Sequence, residues 1–161
     1  NPFECGLDRF VKMQKNTFIG REQLMPEENQ NLKRVSFEVE AKDADVMGDE
    51  PIWAKVPKGK HTKFISVSTG YGSRRFDSNG KDIPNIKGKN SSDGEWSVVG
   101  WITSGGFGHS VKKSLAQGYI PLSLYKERRE TFFQIEILGE RCNATINDNP
   151  LFDPEGKLMR S

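Results

Sequence analysis

The chain has 161 residues, enough for one domain with room for a tail. Its 24 Lys and Arg against 22 Asp and Glu leave a net charge of +2, far from the concentrated basic excess of a nucleic-acid binder. No apolar run approaches the roughly 20 residues that cross a bilayer as a helix. Hydrophobic residues make up only 34% of the chain, but three Trp, three Tyr and ten Phe supply aromatic area for a core. The composition therefore predicts a folded domain carrying a sizeable polar loop. The opening NPFE has neither an initiator Met nor a signal peptide's charged and apolar regions, so it reads as the middle of a longer chain.

In chain order, Phe3, Leu7, Phe10 and Val11 are spaced for an amphipathic turn or a buried edge segment. Residues 18–24 (FIGREQL) predict a short helix, stopped near Pro26 because proline disfavours helical geometry in the residue before it. Residues 26–33 form a connector. Residues 34–40 (RVSFEVE) alternate apolar and polar as a half-buried strand does. An acidic loop (43–50) follows, then candidate strands at 52–56 and 64–68. Residues 69–95 are rich in Gly, Ser, Asn, Asp and Lys and predict a long, exposed, mobile loop. Strand character resumes at 96–103 and again at 112–121, marked by Leu115, Tyr119 and Ile120. The mixed-charge run KERRE at 126–130 is a solvated turn. Residues 131–138 are the clearest strand, with Phe133, Ile135 and Ile137 on its apolar face. Residues 141–146 pair back as a hairpin. The pattern predicts a mainly β chain, a small six-to-seven-stranded barrel or jelly-roll-like domain with a short N-terminal helical segment and a long loop insertion.

Few residues offer chemistry. The glycine cluster at 103–108 could cradle an anion beside Lys112 and Lys113, but no βαβ pattern surrounds it, and a bulge or kink that relieves crowding is the preferred reading. His61 and His109 lack acidic partners at metal spacing, and Ser110 beside His109 is adjacency rather than a triad. Cys5 and Cys142 cannot anchor a four-ligand zinc site and read as reduced thiols. Glu4, set between Phe3 and Cys5, needs a partner: either a ligand or a cation such as Arg9, and residue chemistry favours Arg9. On these grounds alone the chain has no self-contained active site.

Three segments together resemble one family. Residues 1–24 (NPFECGLDRFVKMQKNTFIGREQL) are similar to the segment that closes the folate-binding domain of the glycine-cleavage T-protein superfamily, with its P-x-E-x-G-L start and F-I-G-R-E-x-L helix. Residues 98–121 (VVGWITSGGFGHSVKKSLAQGYIP) and 135–154 (IEILGERCNATINDNPLFDP) resemble two runs of its C-terminal barrel. FECGLDRFVK and GHSVKKSLA lean toward the dimethylglycine and sarcosine dehydrogenase branch.

The resemblance implies two parts: residues 1–30 as the end of a folate-binding domain with its connector, and 31–161 as a C-terminal β-barrel domain with an insertion at about 57–95. It implies a parent enzyme whose FAD-bearing half oxidises an N-methyl amine and whose C-terminal half captures the carbon on tetrahydrofolate as 5,10-methylenetetrahydrofolate. The flavin site and the catalytic aspartate would lie upstream of Asn1, leaving this chain without catalytic residues or a metal. Its partners would be the small-molecule amine and folate, with neither nucleic acid nor membrane, in the mitochondrial matrix or a bacterial cytoplasm. Glu4, Lys15 and Phe152 are the implied folate-binding candidates, and the resemblance makes a ligand role for Glu4 as good as the ion pair. The alternatives are an aminomethyltransferase without a flavin half, or a non-catalytic regulatory relative using the same barrel.

Overall fold

The computed structural model describes residues 1–24, 31–55, 75–76, 82–83, 92–93 and 96–160. The expected strand at 64–68 and most of the expected loop at 69–95 lie outside these residues. Nine strands are described: β1 (Leu32–Val39), β2 (Pro51–Lys55), β3 (Arg75–Phe76), β4 (Asp82–Ile83), β5 (Ser92–Asp93), β6 (Trp96–Gly108), β7 (Lys113–Pro121), β8 (Phe133–Ile137) and β9 (Glu140–Asn147). Two helices are short: α1 (Arg21–Leu24) and α2 (Leu122–Lys126).

The order β2-β8-β9-β1-β7-β6, with β6 pairing back onto β2, closes six strands into a barrel, and β5 adds to β6. Every pairing is antiparallel. Closure leaves none of these six strands with a bare edge, so their backbone hydrogen bonds are satisfied within the ring. Alternation fills the inside: Val35, Phe37 and Val39 of β1 and Phe133, Ile135 and Ile137 of β8 are all buried, while Phe132, one residue out of phase, is exposed. Phe37 and Phe133 meet edge to face with ring centroids 5.8 Å apart.

On β7 the inward residues Ser114, Ala116 and Gly118 are small, and only Ile120 near the strand's end is large; all four are buried. Of the three apolar markers of this strand in the sequence, Leu115 and Tyr119 belong to the opposite, outer face and Ile120 to the inner one. The glycines of β6 serve close packing. A register shift between Ile102 and Ser104 marks a bulge. A Cβ on Gly105 would lie 2.7 Å from Val46 Cβ and 2.9 Å from the Leu115 carbonyl oxygen. The bulge reading of this cluster is the one the geometry bears out.

Two expectations are corrected. The helix expected over 18–24 is confined to Arg21–Leu24, because Gly20 turns to φ +81 and separates Phe18 and Ile19 from it. The apolar spacing from Phe3 to Val11 does not face the core: Leu7 and Phe10 are exposed, and residues 8–10 form one 3-10 turn with no buried residue. Helix α2 was not legible. It follows Pro121, whose φ of −56 and ψ of 136 start the turn, and it is held by one buried residue, Leu124.

After α2, Arg128 forks onto Asp148 through Nε and Nη2, both at 2.8 Å, and its guanidinium lies 4.2 Å from the Tyr125 ring centroid. The Arg128 hydrogen bonds hold the Asp148 carboxyl below its ordinary pKa, against a smaller upward push from burial. A carboxyl lowered in the folded state adds stability above its unfolded pKa, and that stability is lost as pH falls through the folded value. Asp148→Asn is therefore expected to cost at most about 1 kcal/mol at neutral pH, because the pair is half-exposed and screened. The difference from wild type should vanish in acid; urea melts at pH 7 and pH 3 check this.

Candidate functional site

The N-terminal segment is fastened to the barrel by its main chain and by one carboxylate. The Arg34 amide donates to the Glu4 carbonyl oxygen at 2.8 Å, tying residue 4 to β1. Glu4 Oε1 accepts from the amides of Asn31 (3.0 Å) and Leu32 (3.1 Å), and Oε2 lies 2.7 Å from the main-chain nitrogen of Asn1. Asn1 Oδ1 in turn accepts from the amides of Phe3 and Glu4. Burial pushes the Glu4 pKa up, and the hydrogen bonds from the Asn31 and Leu32 amides pull it down. Glu4 is thus partnered, as a carboxylate in that context must be, but by backbone donors rather than by Arg9, whose guanidinium lies over the Phe10 ring at 4.6 Å.

Beside this clasp, three outward residues lie in one cross-strand row: Arg34 on β1 opposite Tyr119 on β7, and Tyr119 opposite Trp101 on β6. The Trp101 and Tyr119 rings stack at 5.7 Å with 22° between their planes. Cys5 Sγ meets the Tyr119 hydroxyl at 3.0 Å. Tyr119 is pushed up to about 12, first by burial and then by its contact with Cys5. Trp101 is buried and its indole Nε1 has no hydrogen-bond partner in the structure. Sequence reasoning missed this row. Its signal was present in the small residues that alternate with Leu115 and Tyr119, since an inward face of Ser, Ala and Gly forces the large side chains outward.

Both cysteines are free thiols, as expected. Burial raises the Cys142 pKa and disfavours its nucleophilic thiolate. Among the described residues, no group of three His, Cys, Asp or Glu could hold a metal ion. His109 sits edge-on to Phe107 with ring centroids 5.2 Å apart. The charged, partly buried Glu4 carboxylate can hold a hydrogen-bond donor or a cation, and no base and nucleophile converge with it.

Of the three folate candidates, Glu4 lies in the seam just described, Lys15 is exposed in a turn closed on Lys12, and Phe152 is exposed beyond β9. Asp153 caps the chain after Phe152 by accepting from the amides of Lys157 and Leu158. No described hydrogen bond, ion pair or ring contact joins Lys15 or Phe152 to Glu4. Two surface cavities, one beneath residues 40–45 and one along β8 and β9, are lined by none of the three. These three residues do not enclose a common site among the described residues. The all-antiparallel sheet offers no βαβ unit for a dinucleotide, so the described residues do not fit FAD.

Comparison with known proteins agrees with this architecture. Residues 33–153 match the glycine cleavage T-protein C-terminal barrel domain. The chain is 32% identical over 154 residues to mitochondrial dimethylglycine dehydrogenase of Mus musculus and 30% identical to that of Homo sapiens. The matches cover 94% of this chain but only 13% of each relative. An aminomethyltransferase of Koribacter versatilis is 30% identical over 146 residues, 91% of this chain and 28% of its own length. The crystal structure of the glycine cleavage system aminomethyltransferase T from Bartonella henselae superposes with a TM-score of 0.59 at 18% identity, over 96% of this chain and 32% of that one, which shows a shared fold. The six-stranded barrel and the match over 33–153 place this chain in the glycine cleavage T-protein C-terminal barrel domain family.

Proposed function

We propose that this chain is the C-terminal part of a folate-dependent, FAD-linked dehydrogenase of N-methyl amines such as dimethylglycine or sarcosine. In this reading, residues 1–30 end the folate-binding domain and the barrel braces them. The upstream half takes a hydride equivalent and a proton from the N-methyl amine, and tetrahydrofolate captures the oxidised carbon as 5,10-methylenetetrahydrofolate. The observation that carries the reading is the Glu4 clasp. Two backbone amides at the entry to β1 hold a carboxylate within the segment assigned to the folate domain. Similarity to dimethylglycine dehydrogenase over 94% of the chain supports it. Lys15 and Phe152 are proposed as outer contacts of the same folate site. The mitochondrial relatives support a matrix location.

Glu4→Gln in the full-length protein tests the proposal, because it keeps the shape and removes the charge. Flavin reduction by the amine is expected to persist while the yield of methylenetetrahydrofolate falls and free formaldehyde rises. If both half-reactions and thermal stability fall together, Glu4 is a structural brace and its folate role is wrong. The similarity to an aminomethyltransferase supports a second reading without a flavin half. A full-length protein purified without flavin, and able to transfer a one-carbon group to folate, would select it.

A further inference from the structure

Both flanks of the barrel leave it at one end. β1 begins there, and β9, antiparallel beside it with Ser36 opposite Asn147, finishes there. Side chains tie the two points of departure together. Asp148, the first residue after β9, takes the Arg128 fork and accepts from the Tyr125 hydroxyl at 3.3 Å, and Lys33 Nζ lies 5.9 Å from the Tyr125 ring centroid. The Leu122 amide donates to the Asn31 carbonyl oxygen at 2.9 Å, and the Asn31 amide is one of the two that bond Glu4. The segment before β1 and the segment after β9 are therefore rooted in one cluster.

The exposed apolar side chains sort by the same division. Met47, Phe107 and Leu138 lie on the loop, strand end and turn of the opposite mouth. Every other exposed large hydrophobic among the described residues belongs to a segment at the β1 end: Leu7, Phe10 and Ile19 before β1, Phe132 before β8, and the rest after β9. The segment after β9 is a built turn. Asp153 holds φ +45, a left-handed conformation uncommon for a non-glycine residue, and its carboxylate accepts from the amides of Lys157 and Leu158 at 2.7 and 3.0 Å. The Arg160 guanidinium donates to the Glu155 carbonyl oxygen. A turn fixed by its own hydrogen bonds, yet presenting Leu158 and Met159 to water beside an apolar flank, is the mark of an interaction face.

We propose that the β1 end of the barrel is an interdomain face, on which residues 151–160 dock against the upstream folate-binding body as a second clamp beside the Glu4 seam. Continuity selects this occupant. Residues 1–24, assigned above to that body, are rooted in the same cluster, so the body they complete stands beside this end. There is chain enough to cover it, since the matches take up only 28% of an aminomethyltransferase and 13% of each dimethylglycine dehydrogenase. The face rests on the reading of residues 1–30 as the end of a folate-binding domain, and on neither FAD nor the reaction.

Methionine oxidation of the full-length protein tests it, because Met47 at the opposite mouth is 86% exposed and serves as an internal standard for Met159, 89% exposed here. Hydrogen peroxide gives one oxygen to an accessible thioether and leaves as water, and mass spectrometry reads the sulfoxide at each position. Met159 is expected to oxidise about tenfold more slowly than Met47, at every protein concentration. Leu158→Asp, outside the barrel core, should bring Met159 to within about twofold of Met47 and leave Met47 unmoved. Equal rates at Met159 and Met47 in the unaltered protein overturn the proposal. So does protection that disappears on dilution, which would make the occupant a second copy, or protection that survives in Leu158→Asp. A flavin-free protein with Met159 protected would remove the FAD-linked reading and leave this face standing. Folate-dependent turnover with Met159 as fast as Met47 would do the reverse.

Discussion

Phe133→Ala is expected to destabilise the domain by about 3–5 kcal/mol, the cost of emptying a large aromatic site in a packed core. Phe133 is buried in β8, faces Ala54 of β2 and Ala144 of β9 across the ladders, and meets Phe37 edge to face. Its neighbours on both sides are alanines, too short to collapse into the space it would leave, so the loss should sit high in that range. Such a loss is a large share of a single domain's stability. The neighbouring Gln134 points outward and shares one exposed hydrogen bond with Asn143 at 3.2 Å. Gln134→Ala should stay within about 0.5 kcal/mol of wild type. Denaturant melts of the two variants compare the faces of β8 directly, and equal losses would mean that its phase is inverted.

Gly100→Ala is expected to be at least as damaging as most core truncations, for the opposite reason. A Cβ there would lie 1.9 Å from the Tyr119 carbonyl oxygen and 3.3 Å from Ile120 Cγ2. The first obstacle is backbone of the neighbouring strand, which cannot rotate away as a side chain can. The β6–β7 pairing must open, and the cost should reach or exceed the upper end of the roughly 1–3 kcal/mol typical of overpacking. Gly118, with Trp101 O at 2.5 Å from its would-be Cβ, should behave alike. Since β6 and β7 carry the Trp101–Tyr119 stack, loss of that pairing should also change the near-ultraviolet circular dichroism of the aromatic pair. A Gly100→Ala protein that melts as wild type would contradict the close strand approach.

The strands with strict alternation were legible before any coordinates. In β1 and β8 the hydrophobic period and the inner face coincide, because half-buried strands select large apolar residues on one side only. β7 was legible as a strand but not in its phase. Opposite β6 the crowded interior admits only Ser114, Ala116 and Gly118, so Leu115 and Tyr119 face outward while Ile120 alone of its large apolar residues faces in, and the hydrophobic signal is mixed. The glycine cluster on β6 was ambiguous for the same reason. A glycine that admits a neighbouring backbone and a glycine that admits a phosphate look identical in sequence, and only Val46 and Leu115 against Gly105 separate them.

For the site, the need of Glu4 for a partner was legible and the partner was not. Arg9 is close in sequence, whereas the donors at Asn31 and Leu32 are backbone amides 27 and 28 residues away that carry no side-chain signature.

The most direct measurement of the central claim, that residues 1–24 form part of the folate site with the barrel as their brace, is hydrogen exchange on the full-length protein with and without tetrahydrofolate. Folate is expected to slow exchange across residues 1–24 and at the Asn31 and Leu32 amides that bond Glu4, while the amine substrate alone leaves them unchanged. Folate binding with exchange unaltered throughout residues 1–32 would contradict it.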